Sequence, residues 1–183
     1  APVERVFDDV LESTQQLFGT DAAGLWLLTD NRYPFRLASH HDLPQELVDA
    51  VGDITHDAPV LGLVAIRERR SIVVDDPASA PHFADLYARH GYRTIHFVPL
   101  LFRDEAMGLL VLYHCTPYDW SPDELELVNT FANQMAIAVA NAKLFNSVRD
   151  GALRLRAIQE LSSRLNRIQD VMGIGEAIVA EAD

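Results

Sequence analysis

The sequence predicts an α+β domain built on a largely antiparallel sheet, and three observations support this fold class. Residues 92–102 and 107–113 are rich in aromatic and β-branched side chains and are separated by a short polar segment, which is the pattern of a β-hairpin. The second strand is apolar at nearly every position, so both of its faces must be covered. Helical periodicity before and after the strands supplies the covering elements.

The first part of the chain predicts one helix and a first hairpin. Residues 3–18 repeat apolar side chains close to the helical period, and Gly19 is placed to end that helix. Residues 21–29 and 35–41 are the predicted strands of the first hairpin, with Asp30-Asn31 as its turn.

Residues 44–91 predict a set of short insertions between the two hairpins. Short helices are expected over 44–51 and 82–90, with a short strand over 71–75. A third helix is expected to run to about residue 69, with Asp57 as its N-cap and Pro59 in its first turn. We expect these insertions to cover one face of the sheet.

The last helix has a strong start signal at Ser121-Pro122-Asp123-Glu124. The serine is a predicted N-cap, proline occupies the first helical position, and Glu124 stands where a capping box requires it. We expect the first and last helices to pack on the other face of the sheet. The predicted buried stripe of the last helix is Leu125, Val128, Phe131, Ala132, Met135, Val139 and Ala142.

Beyond this stripe the helical pattern continues in steps of three and four residues, with one irregular step. This spacing is typical of a coiled-coil seam, so we expect a homodimer through the C-terminal helix, the alternative being that the helix packs on its own domain. The predicted organisation is a domain over residues 1–148, then a helical linker over 149–183 that includes the start of a following domain. The seam residues are Val148, Ala152, Leu155, Ile158, Leu161, Leu165, Ile168 and Met172.

Composition argues against several classes of partner. A net charge of −12, with 15 dispersed basic residues, argues against binding to nucleic acid, which requires clustered Lys and Arg. No apolar run approaches the ~20 residues that a membrane span needs. The single cysteine, Cys115, excludes an internal disulfide and predicts a reducing, cytoplasmic location.

The hairpin and the helix start together resemble the C-terminal half of a GAF domain. The resemblance rests on Arg93-Thr94-(x)3-Val98-Pro99-Leu100, the Arg103-Asp104-Glu105 turn, the strand Gly-Leu-Leu-Val-Leu-Tyr and the helix start Trp-Ser-Pro-Asp-Glu-Leu-Glu-Leu. It covers residues 3–148. It implies a small-molecule-sensing module of a bacterial multidomain signalling protein, relaying a signal through the C-terminal helix to a histidine kinase, a cyclic-di-GMP enzyme or a phosphatase. The cyclic-nucleotide-binding signature of the family is not recognisable.

The resemblance places a ligand between the sheet and the insertions. Alternation along the fourth strand separates Thr94, His96 and Val98 from Arg93, Ile95 and Phe97, and both sets remain candidates for the cavity face. Such a site is expected to be largely apolar with a few polar contacts. The candidate ligand residues are Trp26, His40, His41, Asp75, Arg93 and His96.

Two alternatives stay open beside the ligand sensor. Resemblance to haem-binding sensor kinases of this family would make His90 the iron ligand of a redox or gas sensor. A pocketless dimerisation spacer is the second alternative. Enzymatic activity is not expected, because methionine sulfoxide reduction needs more than one cysteine and no phosphate loop or nucleophile elbow occurs. A bilin-type attachment would need a Cys-His pair, whereas here His114 precedes Cys115.

Overall fold

The computed structural model describes the backbone of residues 2–182 and the side chains of residues 3–172. Its sheet has the order β2-β1-β5-β4-β3, and every neighbouring pair among the described strands is antiparallel. This confirms the predicted α+β class. The elements are α1 (Pro2–Phe18), β1 (Ala22–Leu28), β2 (Phe35–His41), α2 (Gln45–Gly52), α3 (Leu61–Glu68), β3 (Ile72–Val74), a 3-10 turn (Pro77–Ser79), α4 (Ala84–Arg89), β4 (Thr94–Phe102), β5 (Glu105–His114) and α5 (Pro122–Ala182).

β5 lies in the middle of the sheet, between β1 and β4. Leu110 pairs with Leu25 on one side and with Val98 on the other. Every residue from Met107 to His114 is buried, as the apolar run of this strand requires. The predicted pair of hairpins is therefore joined through the second strand of the second hairpin.

One face of the sheet is covered by α1 and the first part of α5. We call this layer the helix-face core; it contains Phe7 and Leu11 of α1 and Met135 of α5, packed with Val98 and Leu110 of the sheet. Full burial of an aliphatic or aromatic side chain of this size contributes about 1.5–3 kcal/mol. The prediction that the first and last helices share one face is confirmed.

The opposite face is covered by the insertions α2, α3 and α4. We call this layer the insertion-face core; it joins Trp26 and Phe97 of the sheet to Leu47, Leu63 and Tyr87 of the three insertion helices. Alternation along β4 is thereby resolved, because Ile95 and Phe97 belong to this layer while Val98 and Leu100 belong to the other.

The ends of two helices test the predicted capping residues. At the start of α5 the Glu124 N–H donates to Ser121 Oγ (3.2 Å) and the Ser121 N–H donates to Glu124 Oε1 (3.1 Å), so the capping box is confirmed. The predicted start of α3 near Asp57 is wrong. The helix begins at Leu61 after an extended Val60, and Asp57 instead accepts a hydrogen bond from Thr55 Oγ1. Ala58 and Val60 are buried in the core, and the Val60 N–H donates to the Ala58 carbonyl oxygen (2.9 Å), so the segment before Leu61 is not helical.

The chain divides into two compact units, with the boundary between Ala140 and Asn141. In the first unit the predicted stripe of α5 is buried at Val128, Ala132, Met135 and Val139. In the second unit the predicted seam residues are exposed, with Leu161 at 57% and Leu165 at 61%. Within the described residues, no helix combines the length and the apolar character that crossing a bilayer demands. The start of a following domain was expected within residues 149–183, and of these the side chains from residue 173 onward lie outside the described residues.

Candidate functional site

The candidate site is a pocket in the insertion-face core, between the sheet and the insertion helices. Its lining comes from β1, β2, β4 and β5 on the sheet side and from α2, α4 and the segment that begins α3 on the other side. Aromatic rings form much of the wall, and Trp26 and Phe35 lie 6.5 Å apart, edge to face. The aromatic members are Trp26, Phe35, Phe83, Tyr87, Phe97 and Tyr113.

The pocket is nearly closed by its own side chains. Its cavity volume is about 20 Å³, close to the space that one water molecule occupies. Small-molecule sites are usually about 300–1,000 Å³. Any ligand larger than water therefore requires the insertions or the lining side chains to move apart.

Two glycines allow the close packing of this layer. A Cβ at Gly24 would lie 2.8 Å from Leu43 Cδ1 and 3.1 Å from Trp26 Nε1, so the indole lies directly over the β1 backbone. A Cβ at Gly62 would lie 2.8 Å from Leu109 Cδ2, so α3 approaches β5 closely. These contacts position Trp26 and Leu109 as walls of the pocket.

The polar groups of the pocket are neutral at physiological pH. No Asp, Glu, Lys, Arg or His occurs among the described residues that line it. Burial raises the pKa of Tyr113 and of Tyr87, and burial raises the pKa of Tyr92, beside them, to about 12. The rings of Tyr92 and Tyr113 lie 4.7 Å apart. The indole Nε1 of Trp26 is buried and has no hydrogen-bond partner in the described side chains or backbone. The pocket can therefore donate hydrogen bonds but offers no charge.

Of the predicted ligand residues on β1 and β2, Trp26 lines the pocket and the histidines lie elsewhere. His40 is exposed and pairs with Gly24, so it shares the insertion face at the outer strand. His41 pairs with Ala23 of the helix-face core, and its Nε2 lies 3.1 Å from an Asp42 carboxylate oxygen. The structure does not bring either imidazole to the cavity wall.

The remaining predicted residues lie away from the cavity. Asp75 is exposed just after β3. The Arg93 side chain is exposed, and the backbone N–H of Arg93 donates to the His114 carbonyl oxygen (2.8 Å). His96 is buried on the opposite face of the sheet, with its ring 4.8 Å from that of Trp120. His96 therefore belongs to the helix-face core.

The surroundings of His96 form a buried aromatic cluster on the helix face. The rings of His114 and Tyr118 stack at 4.0 Å, and His114 Nε2 lies 2.9 Å from the Phe18 carbonyl oxygen. Within the described part of the chain, neither ring nitrogen of His96 has a hydrogen-bond partner. Burial, with a smaller effect of His114, lowers the pKa of His96 to about 4. The imidazole is neutral at physiological pH.

The geometry of His90 does not fit a haem ligand. The His90 Nε2 lies 3.1 Å from a carboxylate oxygen of Glu46, which Arg89 also contacts. These interactions lower the pKa of Glu46 and hold the imidazole against α2. His90 is not part of the pocket lining, and a cavity of about 20 Å³ is far too small for a porphyrin.

Metal and thiol chemistry find little support in the described side chains. Among the described residues, no group of three or more His, Cys, Asp or Glu is placed to hold a metal ion. Cys115 is exposed as a residue, but partial desolvation of its sulfur, together with the nearby Asp21 carboxylate, raises the pKa of its thiol. A raised pKa keeps the thiol protonated, so it is not an activated nucleophile.

Sequence reasoning missed most of the pocket wall. Phe35, Phe83, Tyr87, Phe97 and Tyr113 line it, yet each reads as an ordinary core residue in the sequence. The sequence feature that could have indicated this wall is the alternation of side chains along β4, which places Ile95 and Phe97 on the same face of the sheet. The predicted ligand residues were mostly polar, because polar side chains form specific contacts with ligands. The wall of this pocket instead consists mainly of aromatic side chains.

Comparison with known proteins identifies the family to which this fold and pocket belong. The sequence matches the family model of the GAF domain over residues 2–139, so this chain belongs to the GAF family. This confirms the resemblance seen in the second hairpin. GAF domains are generally regulatory modules rather than catalysts.

Solved structures with the same fold come from several kinds of protein. A GAF domain of a phosphoenolpyruvate-protein phosphotransferase from Coxiella burnetii has a TM-score of 0.69 at 19% identity, covering 80% of this chain and 88% of that one. A domain of a putative two-component sensor histidine kinase from Sinorhizobium meliloti has a TM-score of 0.66 at 18% identity, covering 80% of this chain and 96% of that one. A type II free methionine-R-sulfoxide reductase from Thermoplasma acidophilum has a TM-score of 0.59 at 15% identity, covering 76% of this chain and 95% of that one. At these identities the likeness concerns the fold alone.

Proposed function

We propose that this chain is the sensory module of a bacterial multidomain signalling protein, located in the cytoplasm. A small ligand enters the insertion-face pocket, and α5 carries the resulting change to an output domain such as a histidine kinase, a cyclic-di-GMP enzyme or a phosphatase. The observation that carries this proposal is the aromatic pocket without charged residues, located under the three short insertion helices. Membership of the GAF family and the similarity to a sensor-kinase domain support it.

The ligand that suits this pocket is small, largely apolar and uncharged. A charged group would lose its hydration without gaining an ionic partner from the described lining. Trp26 Nε1 is a buried donor without a hydrogen-bond partner among the described residues, and Tyr87 and Tyr113 stay protonated because burial raises the pKa of each. A hydrogen-bond acceptor on the ligand would satisfy one of these groups.

A structural change in the pocket can reach α5 across the sheet, because the pocket and α5 lie against opposite faces of the central strands. Val111 lines the pocket, while its neighbours Leu110 and Leu112 belong to the helix-face core together with Met135 of α5. A ligand that spreads the insertions would alter this strand and the packing beneath it. Such a signal requires that the ligand bind one arrangement of the helix more tightly than another.

Homodimerisation through the second unit is part of the proposal. The apolar side chains at residues 148–172 follow steps of three and four and are exposed in the single chain. A parallel or antiparallel partner helix would bury this stripe. In that arrangement the two copies of α5 would deliver the signal together.

A pocketless dimerisation spacer is the second candidate. The small cavity, about 20 Å³, favours it, because a spacer needs no ligand space. The two candidates share the exposed stripe of α5 and differ only in whether the insertion-face core opens.

A thermal-shift screen distinguishes the two candidates, because a ligand that binds only the folded state raises the melting temperature. The screen covers metabolites, nucleotides and haemin. Val60→Phe replaces a small aliphatic side chain of the pocket wall by an aromatic ring, and Val10→Phe makes the same change in the helix-face core as a matched control. A compound that shifts wild type and Val10→Phe, but not Val60→Phe, supports the sensor. If no compound in a wide screen shifts wild type, or if every shift persists in Val60→Phe, the spacer is favoured.

A further inference from the structure

A second cleft lies at the outer edge of β4, on the other side of the domain from the α1–β2 contact. β3 pairs only with the stretch of β4 from Ile95 to Phe97. β4 itself continues to Phe102. Beyond Phe97 no strand among the described residues pairs with this edge. Pro99 lies in the uncovered part and has no N–H to leave unpaired, so its backbone tolerates an open edge.

The segment between α3 and β3 forms one wall of this edge cleft. Arg69 ends α3 in the left-handed conformation (φ 52°), which turns the chain away from the helix axis. Its Nε donates a hydrogen bond to the Asp104 carbonyl oxygen (2.6 Å), at the tip of the β4–β5 hairpin. That bond ties the α3–β3 turn to the hairpin, so the wall has a defined position.

The first turns of α5 form the opposite wall. Asn129 and Asn133 are exposed and are four residues apart, so their carboxamides lie on the same side of the helix. Pro99, Leu101 and Ala132 provide the apolar surface between the walls. The cleft has a volume of about 460 Å³, within the range of about 300–1,000 Å³ that is usual for small-molecule sites.

The chemistry of the walls favours an anion. Arg69 and Arg70 both line the cleft, and no acidic side chain occurs in its described lining, although the protein carries a net charge of −12. Arg70 Nε donates to Glu68, as Arg69 Nε donates to Asp104. These bonds orient the guanidinium groups and use only Nε, which leaves their terminal amino groups available. Guanidinium groups bind carboxylate and phosphate oxygens in a bidentate manner.

We propose that the edge cleft binds a small organic anion, a carboxylate or phosphate ester with a compact apolar body. Arg69 and Arg70 hold the anionic group, the amide groups of Asn129 and Asn133 donate hydrogen bonds to it, and the body rests on Pro99 and Leu101. The site is separate from the insertion-face pocket and takes the opposite class of ligand. A bound anion would bridge the α3–β3 turn and α5 directly, without any opening of the insertions.

Isothermal titration of the full chain at low ionic strength tests this site. The probes are phenyl phosphate and benzoate, with benzyl alcohol as the neutral comparison. We expect at least one anion to bind with a Kd of about 1 mM or tighter, and benzyl alcohol not to bind. The stronger of the two anions identifies whether phosphate or carboxylate is preferred. Amide shifts in a ¹H–¹⁵N correlation spectrum should be largest at residues 69–71, 99–101 and 129–133.

Matched substitutions separate the cleft from general charge effects. Arg70→Gln and Asn133→Asp should each weaken the anion at least about tenfold, since each removes or opposes a charge-assisted hydrogen bond. Arg67→Gln and Gln134→Glu make the same charge changes at exposed neighbours outside the lining and should change Kd less than about twofold. Equal weakening by the controls, binding of benzyl alcohol as tight as that of the anions, or no anion binding at 10 mM (roughly ten times the expected Kd) would overturn the proposal.

Discussion

The imidazole of His96 packs against the indole of Trp120, with ring centroids 4.8 Å apart and an angle of 61° between the rings. His96 is only 1% exposed, and neither of its ring nitrogens has a hydrogen-bond partner among the residues that the structure describes. Burial, with a smaller effect of His114, lowers the pKa of His96 to about 4. A buried histidine of this kind stabilises the fold only while it remains neutral.

The first prediction is therefore a loss of stability in mild acid. The unfolded chain takes up a proton at a pKa of about 6.5, whereas folded His96 resists protonation down to about 4. The unfolded state thus binds more protons as the pH falls through this window, and stability falls with it. Between pH 7 and pH 5 the free energy of unfolding should drop by about 2 kcal/mol from this residue. Urea denaturation at both pH values measures the change.

His96→Leu is the variant that assigns this acid sensitivity. It replaces the imidazole by an apolar side chain, so the difference in unfolding free energy between pH 7 and pH 5 should shrink by most of that amount. His82→Leu, at an exposed position in the α4 segment, is the control and should keep the wild-type difference. An unchanged pH difference in His96→Leu would contradict the prediction.

The second prediction concerns the close contact between β1 and β5 at Gly108. A Cβ at this position would lie 2.4 Å from the Trp26 carbonyl oxygen and 3.4 Å from Leu27 Cα, so the backbone itself must shift. Gly108→Ala should lower the free energy of unfolding by about 3 kcal/mol, at the upper end of the usual range for overpacking. Chemical denaturation measures the loss.

Gly52→Ala is the matched control for Gly108→Ala. Gly52 is the last residue of α2, and a Cβ there would meet nothing within 4 Å. Alanine should therefore be neutral or stabilising by about 0.4–1 kcal/mol, since it reduces the freedom of the unfolded chain. Similar losses in both variants would show that the strand contact is not the cause.

The third prediction concerns the start of α5. Ser121 Oγ accepts the N–H of Glu124, and the Glu124 carboxylate accepts the N–H of Ser121. The hydroxyl of Tyr118, with a smaller effect of these two bonds, lowers the pKa of Glu124. Ser121→Ala should cost about 1 kcal/mol of stability. Ser147→Ala, at an exposed position within the same helix, should have no such cost, and equal effects of the two changes would argue against the cap.

The fourth prediction concerns the oligomeric state. If the exposed stripe of α5 pairs with a second copy, wild type should be a dimer at micromolar concentration by light scattering. Leu161→Asp combined with Leu165→Asp places two charges in the apolar seam and should yield a monomer. Ser162→Asp with Asn166→Asp introduces the same charges beside the seam and should leave the dimer intact. A monomeric wild type would refute the seam.

Local patterns in the sequence were sufficient to predict which helices and strands occur and that the fold class is α+β. The unbroken apolar run of β5 required a central strand, and the Ser121–Glu124 capping box marked the first turn of α5 to the residue. Both signals depend on neighbours within a few positions, which is why they could be interpreted without a fold. The start of α3 was misplaced because Asp57 and Pro59 match a helix-start pattern, whereas the core buries Ala58 and Val60 and the extended Val60 delays the helix to Leu61.

The face that each side chain occupies was decided only by the tertiary structure. Periodicity along β4 separates His96 from Phe97, but it does not say which of them meets α5 and which meets the insertions. That assignment depends on how β4 pairs with β5 and on which helices cover each side, and these contacts join residues far apart in the chain. The sequence by itself therefore determined an α+β domain of the GAF family with a long last helix. Long-range packing determined that the insertion-face pocket is aromatic and that His96 lies behind it.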